Sequence, residues 1–263
     1  MNILYVGDIM GEVGVEVIEK VLPGLRRDKK IDLVIAQAEN VTDGKGISQV
    51  DFARLKRAGV DFCTGGNWSL YLDDIIPALN DPAQPIIRPA NYPEGTAGLG
   101  YKYVNTPKGK VLVASLLGQI VGKDSAKPVN NPLITIDKIL ARRADNTVAT
   151  VVNFHGDYSS EKVVIGHYLD GKVSIVVGDH WHVPTADAQV LPGGTAHQTD
   201  VGMCGSLDSS LGVTYGSILP RWHDERSTRN TLETSGRRQF NALLVSVNSQ
   251  GVSDSVEQVR QVF

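Results

Sequence analysis

MNILYVGDIM GEVGVEVIEK VLPGLRRDKK IDLVIAQAEN, residues 1–40, is the stretch whose reading decides the fold class. Ile3-Leu4-Tyr5-Val6 is a short apolar run, the apolar spacing from about Val13 to Leu25 is helical, and Ile31 to Ala36 is again a run of strand length. Strand, helix and strand in that order make a βαβ unit, which implies a parallel sheet with helices packed against it. Each strand ends on polar residues, Gly7-Asp8 after the first and Glu39-Asn40 after the second.

The pattern continues outward. Ser48 reads as the N-cap of a helix through Arg57, Phe62-Cys63-Thr64 as a buried strand, and Tyr71 to Leu79 as a helix ending before Asp81-Pro82. Pro89 to Gly100 is dense in Pro and Gly and predicts an irregular loop. Beyond it come strands at Val111 to Leu117, Val148 to Asn153 and Val173 to Val177, with helices at Ile134 to Arg143 and Glu161 to Leu169. A turn-rich segment then runs to about Gly205, and Ala242 to Val247 closes the chain with a strand. We expect an ordered α/β chain forming one domain over residues 1–263, with no internal repeat.

Composition narrows the function class. The formal net charge is −3, and the basic residues are dispersed apart from short clusters such as Arg26-Arg27-Asp28-Lys29-Lys30 and Arg142-Arg143, so no nucleic-acid-binding stripe is expected. Cys63 and Cys204 are far apart and belong to no C-x-x-C motif, which argues against a disulfide framework or a zinc–thiolate site. No basic, apolar leader follows Met1 and no apolar run approaches the ~18 residues of a membrane span, so a cytoplasmic protein is expected.

In α/β sheets ligands gather beyond the carboxyl ends of the strands. Here those ends carry Asp8, Glu39-Asn40, Gly65-Gly66-Asn67, His155 and Gly178-Asp179-His180-Trp181-His182. Singly, Asp8 reads as a turn residue, Asn67 as a left-handed turn residue and His155 as a buried histidine. Together they are the oxygen and imidazole ligands that suit Mn, Fe or Zn. The alternation in His180-x-His182 puts two imidazoles on one side of an extended segment. A dinucleotide or P-loop site is unsupported, since Gly7, Gly11 and Gly14 fit neither glycine pattern, and no G-x-S-x-G elbow exists. Ser159-Ser160-Glu161 reads as a helix cap rather than a nucleophile.

In this order, Gly7-Asp8, Glu39-Asn40, Gly66-Asn67, Phe154-His155, Ser160-Glu161-Lys162 and His180-Trp181-His182-Val183-Pro184-Thr185-Ala186-Asp187 resemble the motifs of the YmdB family of calcineurin-like metallophosphoesterases. Arg88-Pro89-Ala90-Asn91-Tyr92-Pro93 and Leu191-Pro192-Gly193-Gly194-Thr195-Ala196 extend the likeness. The resemblance implies a four-layer α/β/β/α sandwich with two divalent transition-metal ions, Fe or Mn foremost, with Zn or Mg as alternatives. It places Asp8, Glu39, Asn40 and His182 at one metal and Glu39, Asn67, His155 and His180 at the other, with Glu39 bridging. The implied activity is hydrolysis of 2′,3′- or 3′,5′-cyclic nucleotides, or of related and RNA-derived phosphodiesters, through a metal-bridging hydroxide. The resemblance further suggests a homo-oligomer.

One departure bears on catalysis. The family pattern has a histidine directly after the Asn ligand, credited with protonating the leaving oxygen, and this chain has Trp68 there. Loss of a general acid typically removes ~10²–10⁴ in rate. The family also shows a Trp-Asp pair where this chain has Leu70-Tyr71, and His197 stands where Tyr is frequent. His197 is therefore a candidate replacement acid, Trp68 a candidate surface for a nucleobase, and Arg88 a candidate phosphate contact or a loop anchor. The alternative function is a metal-binding nucleotide or phosphate sensor with weak turnover, and a third is a protein-interaction scaffold that keeps the metals for stability.

Overall fold

The strand, helix and strand of residues 1–40 are present, with the helix longer than its apolar spacing predicts. The computed structural model describes residues 1–121 and 128–263. The first half contains β1 (Asn2–Val6), β2 (Asp8–Ile9), α1 (Gly11–Asp28), β3 (Leu33–Gln37), α2 (Gln49–Ala58), β4 (Phe62–Thr64), a 3-10 turn (Asp73–Ile75) leading into α3 (Ile76–Asn80), β5 (Tyr101–Thr106) and β6 (Gly109–Leu117). There follow α4 (Pro132–Leu140), β7 (Thr147–His155), α5 (Ser159–Tyr168), β8 (Ile175–Asp179), β9 (Gln189–Val190), β10 (Ala196–Gln198), β11 (Met203–Ser206), α6 (Tyr215–His223), β12 (Arg238–Val247) and β13 (Ser253–Val262).

Two sheets result. One runs β2-β11-β12-β1-β3-β4 with β13 on β12, and the other runs β5-β6-β7-β8-β10-β9. Side chains alternate between faces with period two. Ile3, Tyr5 and Ile35 of the first sheet therefore meet Val113, Val151 and Ile175 of the second in the core between the sheets. Leu4, Val6 and Val34 turn outward onto Ile18 and Leu22 of α1 and Phe52 and Leu55 of α2. Leu112, Val152 and Val176 turn the other way onto Ile136 of α4 and Ile165 of α5. Three cores separate four layers, the expected α/β/β/α sandwich of the metallophosphoesterase fold. Each buried Leu or Ile contributes about 1.5–3 kcal/mol, so a charge at Ile35 would damage the inter-sheet core first.

Local chemistry sets the helix limits. Ser48 caps α2, its Oγ accepting the Asp51 N–H at 3.1 Å, and Gly59 ends the helix at φ 104°. Asn131 caps α4 through Leu133 and Ile134 N–H, with Pro132 at the first turn, so α4 starts earlier and ends earlier than its periodicity predicts. Ser159 and Ser160 lie inside α5, whose N-cap is Tyr158 with no side-chain cap, correcting the expected capping role. Tyr71 and Leu72 precede the 3-10 turn instead of opening a helix, because consecutive turns from Gly66 to Tyr71 hold that segment.

The C-terminal half is richer than its turn signals suggest. β9, β10 and β11 occupy the segment expected to be irregular, and β12 and β13 form a long antiparallel pair where one strand was expected. Among the described residues β13 pairs only with β12, and it exposes most of Ser253–Val262, so it carries no apolar run to reveal it. No helix is long and apolar enough to cross a membrane among the described residues.

Candidate metal centre

β1 runs parallel to β3, and β3 to β4, while β7 runs parallel to both β6 and β8, so in each sheet neighbouring strands finish side by side at a carboxyl rim. The polar residues after these strands gather into one buried cluster. Asp8, Glu39, Asn40, Asn67, His155 and His182 are all at most 8% exposed. Gly66 is required beside them, since a Cβ there would lie 2.4 Å from both Glu39 Oε2 and His155 Cδ2.

The orientation of each side chain is set by its far end. His155 Nδ1 lies 2.7 Å from Asp179 Oδ1, which leaves Nε2 facing Glu39 Oε1 and Asn67 Oδ1, each 2.9 Å away. His182 Nδ1 lies 3.1 Å from the Leu211 carbonyl, and its Nε2 turns toward Asp8 Oδ1 at 3.9 Å. Asn40 donates its amide to the Gly44 carbonyl at 2.9 Å, so its oxygen faces inward. Glu39 Oε2 accepts the Trp68 N–H at 2.9 Å, and Asp8 Oδ2 accepts the His180 N–H at 3.2 Å. His180 packs edgewise on His155 with centroids 4.4 Å apart, and its Nε2 lies 3.3 Å from Asp157.

What remains are lone pairs with no proton to accept. Asp8 Oδ1, Glu39 Oε1 and Asn40 Oδ1 are buried and accept no hydrogen bond, the His155 Nε2 beside Glu39 Oε1 being turned to Asn67 Oδ1. Buried polar atoms are ordinarily satisfied, and each orphan costs about 1–3 kcal/mol. A cation among them satisfies all three, so the donor set fits divalent metals. Ligand atoms of Glu39, His155 and His180 fall within 4.8 Å of one another, as do those of Asp8, His155 and Asp179.

The electrostatics follow from crowding acids in a dry site. Burial, with Asp179 and Asp200 nearby, holds the Asp8 carboxyl well above its usual range. Burial raises Asp179 as well, but hydrogen bonds from His155 and Tyr5 and the Lys162 charge outweigh it and hold it low. Desolvation pushes His180 and His182 down to about 4, keeping both imidazoles neutral, the form that binds metal.

A sequence profile described as YmdB-like protein matches residues 4–259. The chain belongs to this family. A 2′,3′-cyclic-nucleotide 2′-phosphodiesterase of Bacillus subtilis (strain 168) is 34% identical over 250 residues, covering 95% of this chain and 92% of that protein. Among solved structures, a hypothetical protein from Thermus thermophilus superimposes with TM-score 0.91 at 33% identity, covering 100% of this chain and 99% of that one. A phosphatase from Mycoplasma pneumoniae superimposes with TM-score 0.92 at 29% identity, covering 100% and 93%. A 5′-nucleotidase precursor, also from Thermus thermophilus, at 13% identity and TM-score 0.62 over 99% of this chain and 54% of that one, shares the fold.

Within this family member, the seven ligand candidates lie together, and the three other candidates fall in different places. Trp68 stands at the mouth of the centre, its ring edge-on to Tyr71 and under Lys45 Nζ at 4.2 Å. His197 does not reach the centre. Its Nδ1 lies 3.0 Å from the Val176 carbonyl, and its ring lies under α5, where a Cβ on Gly166 would meet it at 2.6 Å. Arg88 donates to the Ala97, Pro89 and Thr96 carbonyls at 3.1, 2.6 and 3.0 Å, closing the Pro89 to Gly100 loop. His197 is thereby corrected as a replacement acid, its side chain spent under α5 by strand alternation, whereas Arg88 takes the loop-anchor alternative.

Residues not singled out as functional complete the site. Asp179 gathers the Tyr5 hydroxyl at 2.8 Å, Gln37 Nε2 at 3.2 Å and the Asn153 amide besides His155. Lys162, fully buried, donates to the Asp179 carbonyl and to Asp200 Oδ2, each at 2.7 Å, and Asp200 Oδ2 accepts the Trp181 N–H at 3.0 Å. The signals available were Asp179 ending a strand directly before the His-x-His pair, and Lys162 closing the Ser160-Glu161-Lys162 motif.

Proposed function

We propose that this chain is a metal-dependent phosphodiesterase that takes two divalent transition-metal ions, iron or manganese foremost, and hydrolyses cyclic nucleotides or related small phosphodiesters. The observation that carries this is the convergence of three unsatisfied buried oxygens with the Nε2 atoms of His155 and His182. Asp8, Glu39, Asn40 and His182 would hold one ion, and Glu39, Asn67, His155 and His180 the other. When bound, such a pair neutralises phosphoryl oxygens and lowers the pKa of an attacking water. The chain's own residues keep the ligands aimed: Asp179 holds the His155 ring, the Leu211 carbonyl the His182 ring, and the Trp68 N–H the second oxygen of Glu39. The Bacillus subtilis relative supports a 2′,3′-cyclic nucleotide ahead of a 3′,5′ one.

Loading under reducing conditions with Mn or Fe is expected to fill both positions and give hydrolysis of bis-p-nitrophenyl phosphate and 2′,3′-cyclic AMP that Asp8→Ala abolishes. Metal content well under one ion per chain, or turnover that survives Asp8→Ala, would overturn the proposal. Trp68 favours a second reading, a metal-bound nucleotide sensor with weak turnover, because the indole carries no acid at neutral pH. Trp68→His separates the two. A gain of ~10² or more in kcat on 2′,3′-cyclic AMP supports the enzyme. Nucleotide binding without turnover in both forms supports the sensor.

A further inference from the structure

We propose that the cavity at the mouth of the metal centre is a nucleobase subsite walled by Trp68 and Trp222, so that the substrate is a diester carrying a flat heteroaromatic base. This rests on the phosphodiesterase reading above. All three tryptophans of the chain, Trp68, Trp181 and Trp222, line one cavity of about 910 Å³. Glu39, Asn40, His180 and His182 also line it, so the cavity is continuous with the metal centre. The three indoles come from separate places: the turn after β4, the segment between the two histidines, and α6. Their convergence is a tertiary arrangement.

Each indole has a distinct setting. Trp181 is anchored, its Nε1 donating to the Asp157 carbonyl at 2.9 Å and its ring lying over Lys162 Nζ at 4.0 Å. Trp68 is braced by Tyr71 and Lys45. Trp222 is 80% exposed, on a helix that buries none of its residues. Ile218 and Trp222, one helical turn apart, both line the cavity. An indole left this open at the mouth of a polar site has a ring face available for stacking, and base faces stack on aromatic side chains without regard to sequence. Asn230 and Lys45 line the same cavity and offer hydrogen-bond and charge partners. The cavity runs from Trp222 to Glu39 and His180, so a small ligand fits it better than a second copy of the chain, which would cover the way in.

The test uses the metal-loaded full chain, Trp222→Ala and Trp222→Phe. It compares 2′,3′-cyclic AMP with glycerol 1,2-cyclic phosphate, which has the same five-membered cyclic ester and no base. The ratio of their kcat/KM values is expected to fall roughly fivefold to a hundredfold in Trp222→Ala, through KM, with Trp222→Phe retaining most of it. An unchanged ratio in Trp222→Ala overturns the subsite. Titration of the intrinsic tryptophan fluorescence with adenosine 3′-monophosphate gives a readout independent of turnover. Saturable quenching that ribose 5-phosphate does not produce supports the proposal, and its absence overturns it. Quenching by the nucleotide with no diester cleaved would leave the base subsite standing and refute the phosphodiesterase. A drop in solution mass on Trp222→Ala with the ratio intact would make Trp222 a contact between copies and overturn the subsite.

Discussion

Asp179 shows how one residue decides the chemistry of another. An imidazole binds a metal through a lone pair on one nitrogen, and which nitrogen is free depends on what the other donates to. Asp179 Oδ1, 2.7 Å from His155 Nδ1, settles that for His155, while Tyr5, Gln37 and Asn153 occupy its other oxygen. With His155 on one oxygen and three donors crowded on the other, Asp179 is placed to fix the orientation of the His155 ring. Asp179→Asn is expected to weaken metal binding about 10–100-fold while the far-UV circular dichroism stays that of the parent. Competition against a chromophoric chelator measures the affinity, and an unchanged value would remove Asp179 from the centre. Asp179 was legible as a polar strand end but not as a support, because that role depends on Tyr5, Gln37 and Asn153 from three other strands.

At the scale of elements, the segment leaving β8 carries both histidines in strained backbone, His180 at φ 100° and His182 at φ 62°. Non-glycine residues there cost about 1–3 kcal/mol each and persist where surrounding contacts over-determine them. The contacts come from three directions: Asp8 on the His180 N–H, Asp200 on the Trp181 N–H, and Lys162 of α5 on the Asp179 carbonyl. An extended His-x-His would put both rings on one side, but the structure reaches its arrangement through left-handed turns instead. The Lys162–Asp200 pair is fully buried on both sides, at 2.7 Å. Burial drives the Asp200 carboxyl upward even against Lys162, so removing the lysine strands an acid in the core. Lys162→Met is expected to cost about 3–5 kcal/mol by urea denaturation and to lower metal occupancy with it. A loss under about 1 kcal/mol would show that the pair does not hold this segment.

Across the whole molecule, two sheets bring acids from distant parts of the chain into one dry volume, Asp8 and Glu39 from the first sheet and Asp179 from the second. Cations held among them would offset their mutual repulsion and the unsatisfied oxygens, so metal should stabilise the native chain. Free metal near a thousandfold over its Kd is expected to raise Tm by roughly 5–15 °C relative to protein stripped with chelator. Scanning calorimetry reads the shift, and a Tm insensitive to chelation would refute the coupling. The βαβ opening and the polar strand ends were readable from residue order, because apolar periodicity and turn chemistry are local properties that survive projection onto one dimension. The four-layer class and the departure at Trp68 came instead from the resemblance of the strand-end motifs to those of the YmdB family. The polar edge strand β13, the exposed helix α6, the diversion of His197 and Arg88 into the scaffold, the support from Asp179 and Lys162, and the meeting of three tryptophans at one cavity were decided by tertiary structure. Each depends on which face of a strand is buried and on which distant segment lies opposite, quantities set by packing and not by neighbouring residues in the chain.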